Sequence, residues 1–129
     1  MYQANMIRNV AMLSHGGAGK TTLTEAMLFN VKAVDRLGRV DNGSSTMDYE
    51  PDEIKRKISI NLSLGYGEWR KVKINILDAP GYTDFVGDIQ KSLRVAEGCV
   101  VVLDAASGVE IGTELVWQYA NEKNLAKCI

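Results

Sequence analysis

The stretch Ser14-His15-Gly16-Gly17-Ala18-Gly19-Lys20-Thr21-Thr22 constrains this chain more than any other. It follows the phosphate-binding spacing G-x-x-x-x-G-K-[ST], with Ser14 standing at the first glycine. Small residues let successive backbone N–H groups turn inward around a phosphate, the following helix offers its positive N-terminus, and Lys20 adds a full charge. Thr21 supplies a hydroxyl to a magnesium ion that the phosphates also ligate. Residues 14–22 are therefore the first candidate ligand contacts. The plainer reading, a glycine-rich turn joining a strand to a helix, has no use for the lysine-threonine pair at that offset.

The flanking sequence has the order this motif needs. Ile7 to Leu13 is a short, mostly apolar run that suits a buried central strand. From Lys20 onward, Leu23, Ala26, Met27 and Phe29-Asn30 recur at helical spacing, which puts Thr24 and Glu25 on other faces. Between Lys32 and Lys57 the periodicity fades among turn formers. A loop of that length beside a phosphate site is a candidate switch segment. Its basic run, Lys55-Arg56-Lys57, reads as a solvated face.

Ile58 to Leu64 alternates apolar and polar as a half-buried strand does, Gly65-Tyr66-Gly67-Glu68 reads as a turn, and Val72 to Leu77 as the partner strand of a hairpin. That strand runs into Asp78-Ala79-Pro80-Gly81, a D-x-x-G pattern at the strand end where open α/β sheets place ligands. Thr83 or Asp84 can cap a helix with Phe85, Ile89, Leu93 and Ala96 on one face, ended by Gly98. Cys99 to Leu103 reads as a strand covered on both sides, Asp104 to Gly108 as a loop, Ile111, Leu115, Val116 and Tyr119 as the face of one more helix, and Ala126 to Ile129 as the start of another strand. The expected fold is α/β, of the P-loop nucleotide-hydrolase type: a mostly parallel sheet with helices on both faces and one antiparallel hairpin strand, cut short at its C-terminal side. The last strand then has an open edge near Cys128 and Ile129, which predicts self-association.

Fifteen basic against sixteen acidic residues, for a formal charge of −1, argue against a broad nucleic-acid-binding face and a DNA partner. No apolar run is long enough to span a membrane, and no secretory leader is apparent, so the expected location is the cytoplasm. Cys99 and Cys128 lack metal-ligand spacing and read as packing thiols.

Beyond these readings, the chain resembles the N-terminal part of the GTPase domain of translation elongation factor G. The resemblance rests on His15 to Thr22, Thr46-Met47-Asp48-Tyr49, Ile74 to Phe85, Ser92-Leu93-Arg94-Val95 and Asp104 to Gly108, which follow the family's order along nearly the whole chain. It implies GTP or GDP with Mg2+ as ligands and the ribosome as partner. It makes residues 1–129 the N-terminal part of a translational GTPase domain, short of the Asn-Lys-x-Asp motif that reads guanine. The implied residue roles are Lys20 on the β- and γ-phosphates, Thr21, Ser59 and Asp78 around the metal, and Ser14 to Thr22 with Asp78-Ala79-Pro80-Gly81-Tyr82 around the nucleotide. Lys20, Gly81 and Tyr82 become the candidate catalytic residues, with the Gly81 N–H aimed at the γ-phosphate.

Departures from the family pattern carry information too. Gly17 stands where these factors carry an aspartate, and Arg56-Lys57-Ile58-Ser59-Ile60 aligns with Arg-Gly-Ile-Thr-Ile, so serine replaces the metal-binding threonine. Tyr82 replaces the histidine that positions the attacking water, as in elongation-factor-G-like paralogues. Positioned proton-transfer groups contribute roughly 10²–10⁴-fold to rate, and a phenol, with a pKa of about 10, accepts a proton poorly. His15, the single histidine, reads as a loop-shaping residue. Two functions follow: a GTPase of a ribosome-associated elongation factor, or a catalytically weak GTP-binding switch module. A phosphate-loop ATPase unrelated to translation would leave Thr46 to Tyr49 and Asp78 to Gly81 unexplained.

Overall fold

The computed structural model describes residues 2–129. Five strands, β1 (Ile7–Ser14), β2 (Ser63–Trp69), β3 (Val72–Asp78), β4 (Gly98–Val102) and β5 (Ala126–Cys128), form one sheet in the order β2-β3-β1-β4-β5. β1 pairs in parallel with β3 and β4, β4 in parallel with β5, and β2 runs antiparallel to β3 as the expected hairpin. Among the described residues, four α-helices accompany the sheet: α1 (Lys20–Asn30), α2 (Pro51–Arg56), α3 (Val86–Val95) and α4 (Ile111–Glu122).

Both sheet faces are covered, and the strands alternate between them. Ala11, Leu13, Leu77, Ala79, Cys99 and Val101 pack with Ile89 and Leu93 of α3 and Val116 and Ala120 of α4. Met12 and Ile76 point the other way, onto Leu28 of α1 and Met47. Because β1 has β3 on one side and β4 on the other, with α1 and α3 on opposite faces, its C-terminal end is a topological switch point. That is where open α/β sheets hold ligands, and it is where residues 14–19 lie.

Four local expectations need correction. The run from Ile58 to Ile60 lies outside the sheet, because the Glu53 carboxylate accepts the backbone N–H of Ile60 (2.9 Å) and Asn61 (3.0 Å) in place of a neighbouring strand. Gly65 to Glu68 is strand rather than turn, and the hairpin reverses at Arg70-Lys71, both at positive φ (49° and 67°), as a two-residue turn of this twist demands. The helix after Gly81 is preceded by a 3-10 turn over Thr83–Phe85 and has no side-chain cap; it ends at Val95, and Gly98 opens β4 instead. In α4, Ile111 is 79% exposed, and the buried face runs through Thr113, Val116 and Ala120.

The long loop also holds a helix that its turn formers conceal. Glu50 and Glu53 form a reciprocal capping box at the start of α2, with Pro51 at its first turn. α2 stops at Lys57, which takes the left-handed conformation (φ 56°, ψ 38°) that favours glycine. Glycine is the residue the elongation-factor-G pattern has there. Left-handed backbone costs a side-chain-bearing residue about 1–2 kcal/mol, and glycine's extra freedom in the unfolded chain returns part of that. Lys57→Gly is therefore expected to stabilise the fold by about 0.5 kcal/mol. A denaturant midpoint raised at unchanged slope would bear this out; a lowered midpoint would refute it.

Candidate functional site

Gly17 and Gly19 stand at φ 83° and 92°, so the loop after β1 takes a path that few other residues could follow. It leads into α1, whose first residues, Lys20 and Thr21, are buried. The cleft above it is lined by residues 14–22, by Asp48 and Ser59 of the long loop, and by Gly81 and Tyr82. Val40, Asp41, Lys57 and Ile58 complete the lining.

Five side chains meet at the floor, of which Lys20, Thr21, Asp48 and Asp78 are buried. Lys20 Nζ lies 3.0 Å from Asp78 Oδ1, with the two side chains 5% and 1% exposed. Both Asp78 oxygens nevertheless lack a partner of hydrogen-bonding geometry. The contact is thus an ion pair without a directed hydrogen bond. Beside it, the Ser59 hydroxyl donates to Asp48 Oδ1 at 2.7 Å and lies 3.0 Å from Thr21 Oγ1. With its single proton on Asp48, Ser59 accepts from Thr21.

Asp48 Oδ2 is buried without a partner. Burial pushes the Asp48 carboxyl above the usual carboxylate range; the Ser59 hydrogen bond opposes this, the charges of Asp78 and Glu53 add to it, and Lys20 pulls back. Two hydroxyls and two carboxylates with unsatisfied oxygens form a set that a hard, oxygen-seeking cation fits. No cluster of three histidine, cysteine, aspartate or glutamate side chains occurs among the described residues, so the hydroxyls are essential to such a set.

Gly81 and Tyr82 close the cleft from the β3 side. A Cβ on Gly81 would lie 2.9 Å from the Gly16 nitrogen and Cα, so the two main chains approach as only glycine allows. The Tyr82 ring lies over Gly16, where a Cβ would stand 2.8 Å from two ring carbons. His15 also reaches toward α4: its Nε2 is 3.3 Å from Glu110 Oε2, at the capping box of that helix. It joins the phosphate loop to α4, as a loop-shaping residue does.

The sequence-derived candidates thus gather at one place, with three of them outside the lining of the cleft. Ala79 and Pro80 are buried behind the cleft and are absent from its lining. Asp78 acts on it from beneath, through Lys20. Sequence reasoning assigned no role to Asp48, although it sits within the Thr46 to Tyr49 segment, and it passed over Glu25 and Glu53, each buried to 1% exposure or less. Buried acids carry no periodic signal. A carboxylate that cannot be solvated in its expected position is visible only once its partners are known.

The model of the elongation factor Tu GTP binding domain matches residues 5–129. Mitochondrial ribosome-releasing factor 2 of Candida dubliniensis is 42% identical over 127 residues, covering 98% of this chain and 16% of the relative. The Schizosaccharomyces pombe protein of the same name is 41% identical, over 99% of this chain and 16% of its own length. The chain thus spans about a sixth of the curated relatives it matches. A crystal structure from Thermus thermophilus superposes with a TM-score of 0.90 at 42% identity, over 93% of this chain and 18% of that one. The bacterial selenocysteine-specific elongation factor, at 24% identity and a TM-score of 0.69, over 90% of this chain and 17% of that one, shares the fold. With the family model matching nearly the whole chain over a phosphate loop, a D-x-x-G strand end and a doubly covered sheet, this chain belongs to the elongation factor Tu GTP-binding domain family.

Proposed function

We propose that this cleft holds guanine nucleotide with Mg2+, and that the chain hydrolyses GTP as the N-terminal part of the GTPase domain of a ribosome-associated translation factor. The observation that carries the reading is the convergence of the Lys20–Asp78 pair and the Thr21–Ser59–Asp48 chain on the mouth of the phosphate loop. In this reading Lys20 and the backbone N–H groups of residues 15–20 bind the β- and γ-phosphates, and the Gly81 N–H faces the γ-phosphate. Thr21 and Ser59, with Asp78 and Asp48 beside them, are the residues that would hold Mg2+. The ion, when bound, neutralises charge on the phosphate oxygens. Tyr82 orients the attacking water. The ribosome enters as partner through the names of the fungal relatives. No helix of the described residues is long and apolar enough to cross a membrane. We place the protein in the cytoplasm, with the mitochondrion of those relatives as the alternative that cell fractionation separates.

A second reading has its own observation. The Tyr82 ring is in close contact with Gly16, and a phenol at that position accepts a proton poorly. In that reading hydrolysis is slow and bound GTP serves chiefly as a switch. Calorimetry with GTP, GDP and ATP, with and without Mg2+, joined to single-turnover hydrolysis with and without ribosomes, tests both. The primary reading expects Mg2+-dependent binding of GTP over ATP and faster hydrolysis on ribosomes. Binding without ribosome stimulation favours the switch, and equal binding of ATP and GTP by the natural protein overturns both.

A further inference from the structure

Glu25 sits in the middle of α1 and is fully buried. A charged residue inside a helix that faces a sheet costs stability unless its oxygens are well used, and Glu25 spends one oxygen on the long loop. Its Oε1 accepts from the Ser45 hydroxyl (2.8 Å) and from the backbone N–H groups of Thr46 (2.5 Å) and Met47 (3.0 Å). Ser45 completes the clasp by accepting from the N–H groups of Met47 and Asp48, both at 3.1 Å. The other carboxylate oxygen, buried and unpartnered, is wedged where a Cβ on Gly38 would collide with it.

The last residue of this clasp is Asp48, whose carboxylate accepts the Ser59 hydroxyl, and Ser59 in turn meets Thr21. Thr21 lies one helical turn before Glu25 on the same face of α1. One helix therefore grips the loop twice, at residues 45–47 through a carboxylate and at Ser59 through a hydroxyl. Only the second grip lies in the cleft.

We infer that Glu25 is a positioning residue for nucleotide retention: it sets the height of the Asp48–Ser59 pair over Thr21, and so controls how tightly the loop closes the cation side of the site. The inference rests on the guanine-nucleotide reading of the cleft. It extends that reading to a residue that touches neither nucleotide nor metal and acts through the backbone of residues 45–48.

The test uses the natural protein carrying Glu25→Ala, Glu25→Gln and Ser45→Ala, loaded with a fluorescent GDP. Glu25→Ala removes all three hydrogen bonds to Oε1 and is expected to release nucleotide about tenfold faster in Mg2+, because only part of that loss is transmitted to Ser59. In EDTA it should release at the wild-type rate, because the loop's grip then has no cation to act on. Glu25→Gln keeps an accepting oxygen and should return to within about twofold of wild type. Ser45→Ala, the milder lesion should Glu25→Ala fail to fold, should release about threefold faster in Mg2+ alone. Hydrogen exchange should show the Thr46 and Met47 amides losing protection in Glu25→Ala. Equal acceleration in Mg2+ and EDTA would mean general loosening of the fold and would overturn the inference, as would unaltered release in both alanine variants. Wild-type protein that binds no GDP would overturn the reading of the cleft itself, a separate failure.

Discussion

Tyr82→His is expected to raise the single-turnover rate of GTP hydrolysis about 10²-fold while leaving GTP affinity within about threefold of wild type. The Tyr82 side chain lines the cleft beside the phosphate loop, 39% exposed and in close contact with Gly16. A phenol has one polar atom at the far end of an apolar ring. Imidazole carries two nitrogens, one free to accept while the other donates, and titrates near neutrality. The elongation-factor-G pattern places that imidazole at this position, following the same Asp78-Ala79-Pro80-Gly81 turn. Tyr82→Phe separates the roles that tyrosine itself could have. If the hydroxyl orients the water, Phe slows hydrolysis further, and if the ring only packs against Gly16, Phe leaves it unaltered. A histidine variant no faster than wild type would show that the tyrosine does not limit the reaction.

The parts of the fold that show in the sequence are those where one physical demand dominates. The strand runs Ile7 to Leu13 and Cys99 to Leu103 are apolar because both sheet faces are covered, and they fall within a residue of β1 and β4. α1 is the instructive failure. Its apolar residues argue for a face through Leu23 and Phe29, yet these are 40% and 43% exposed, and the buried face runs Thr21, Thr24, Glu25, Leu28. That set has perfect helical spacing and is mostly polar. The rotation of α1 is dictated by Lys20 and Thr21, which must face the cleft, and a hydrophobic count does not weigh that requirement. Gly65 and Gly67 misled for a related reason. They look like turn formers but are strand residues against which α1 and its end pack, Gly65 meeting Leu28 and Met47, Gly67 meeting Val31. The phosphate loop, Asp78 and Gly81 could be named as candidates in advance because their chemistry depends on residue type at fixed spacing, and Ser59 because the resemblance to elongation factor G implies it. Asp48, Glu25 and Glu53 could not, since their roles arise from which backbone N–H groups the folded loop brings to them.

Lys20→Met is expected to weaken nucleotide binding by at least about 10²-fold, and the structure predicts a second penalty that must be separated from the first. In the absence of phosphate, Lys20 is the cation beside Asp78, and the Asp78 charge adds to the burial that pushes the Asp48 carboxyl up. Removing one partner of a buried pair leaves an uncompensated charge and costs about 3–5 kcal/mol. Lys20→Met alone should therefore unfold at markedly lower denaturant, and lost binding could be mistaken for lost folding. The double variant Lys20→Met, Asp78→Asn resolves this, because a neutral amide needs no cation. Its denaturant midpoint should return most of the way to wild type while nucleotide binding stays at least 10²-fold weak. Asp78→Asn alone should keep Lys20 available to phosphate and lose chiefly the Mg2+ dependence of binding. Should the double variant recover both stability and affinity, Lys20 would be a structural partner of Asp78 and the phosphates would be held by the loop backbone alone. Should Lys20→Met bind within tenfold of wild type, the central ionic contact of the site would have to be sought elsewhere, with Lys57 at the rim as the remaining lysine of the lining.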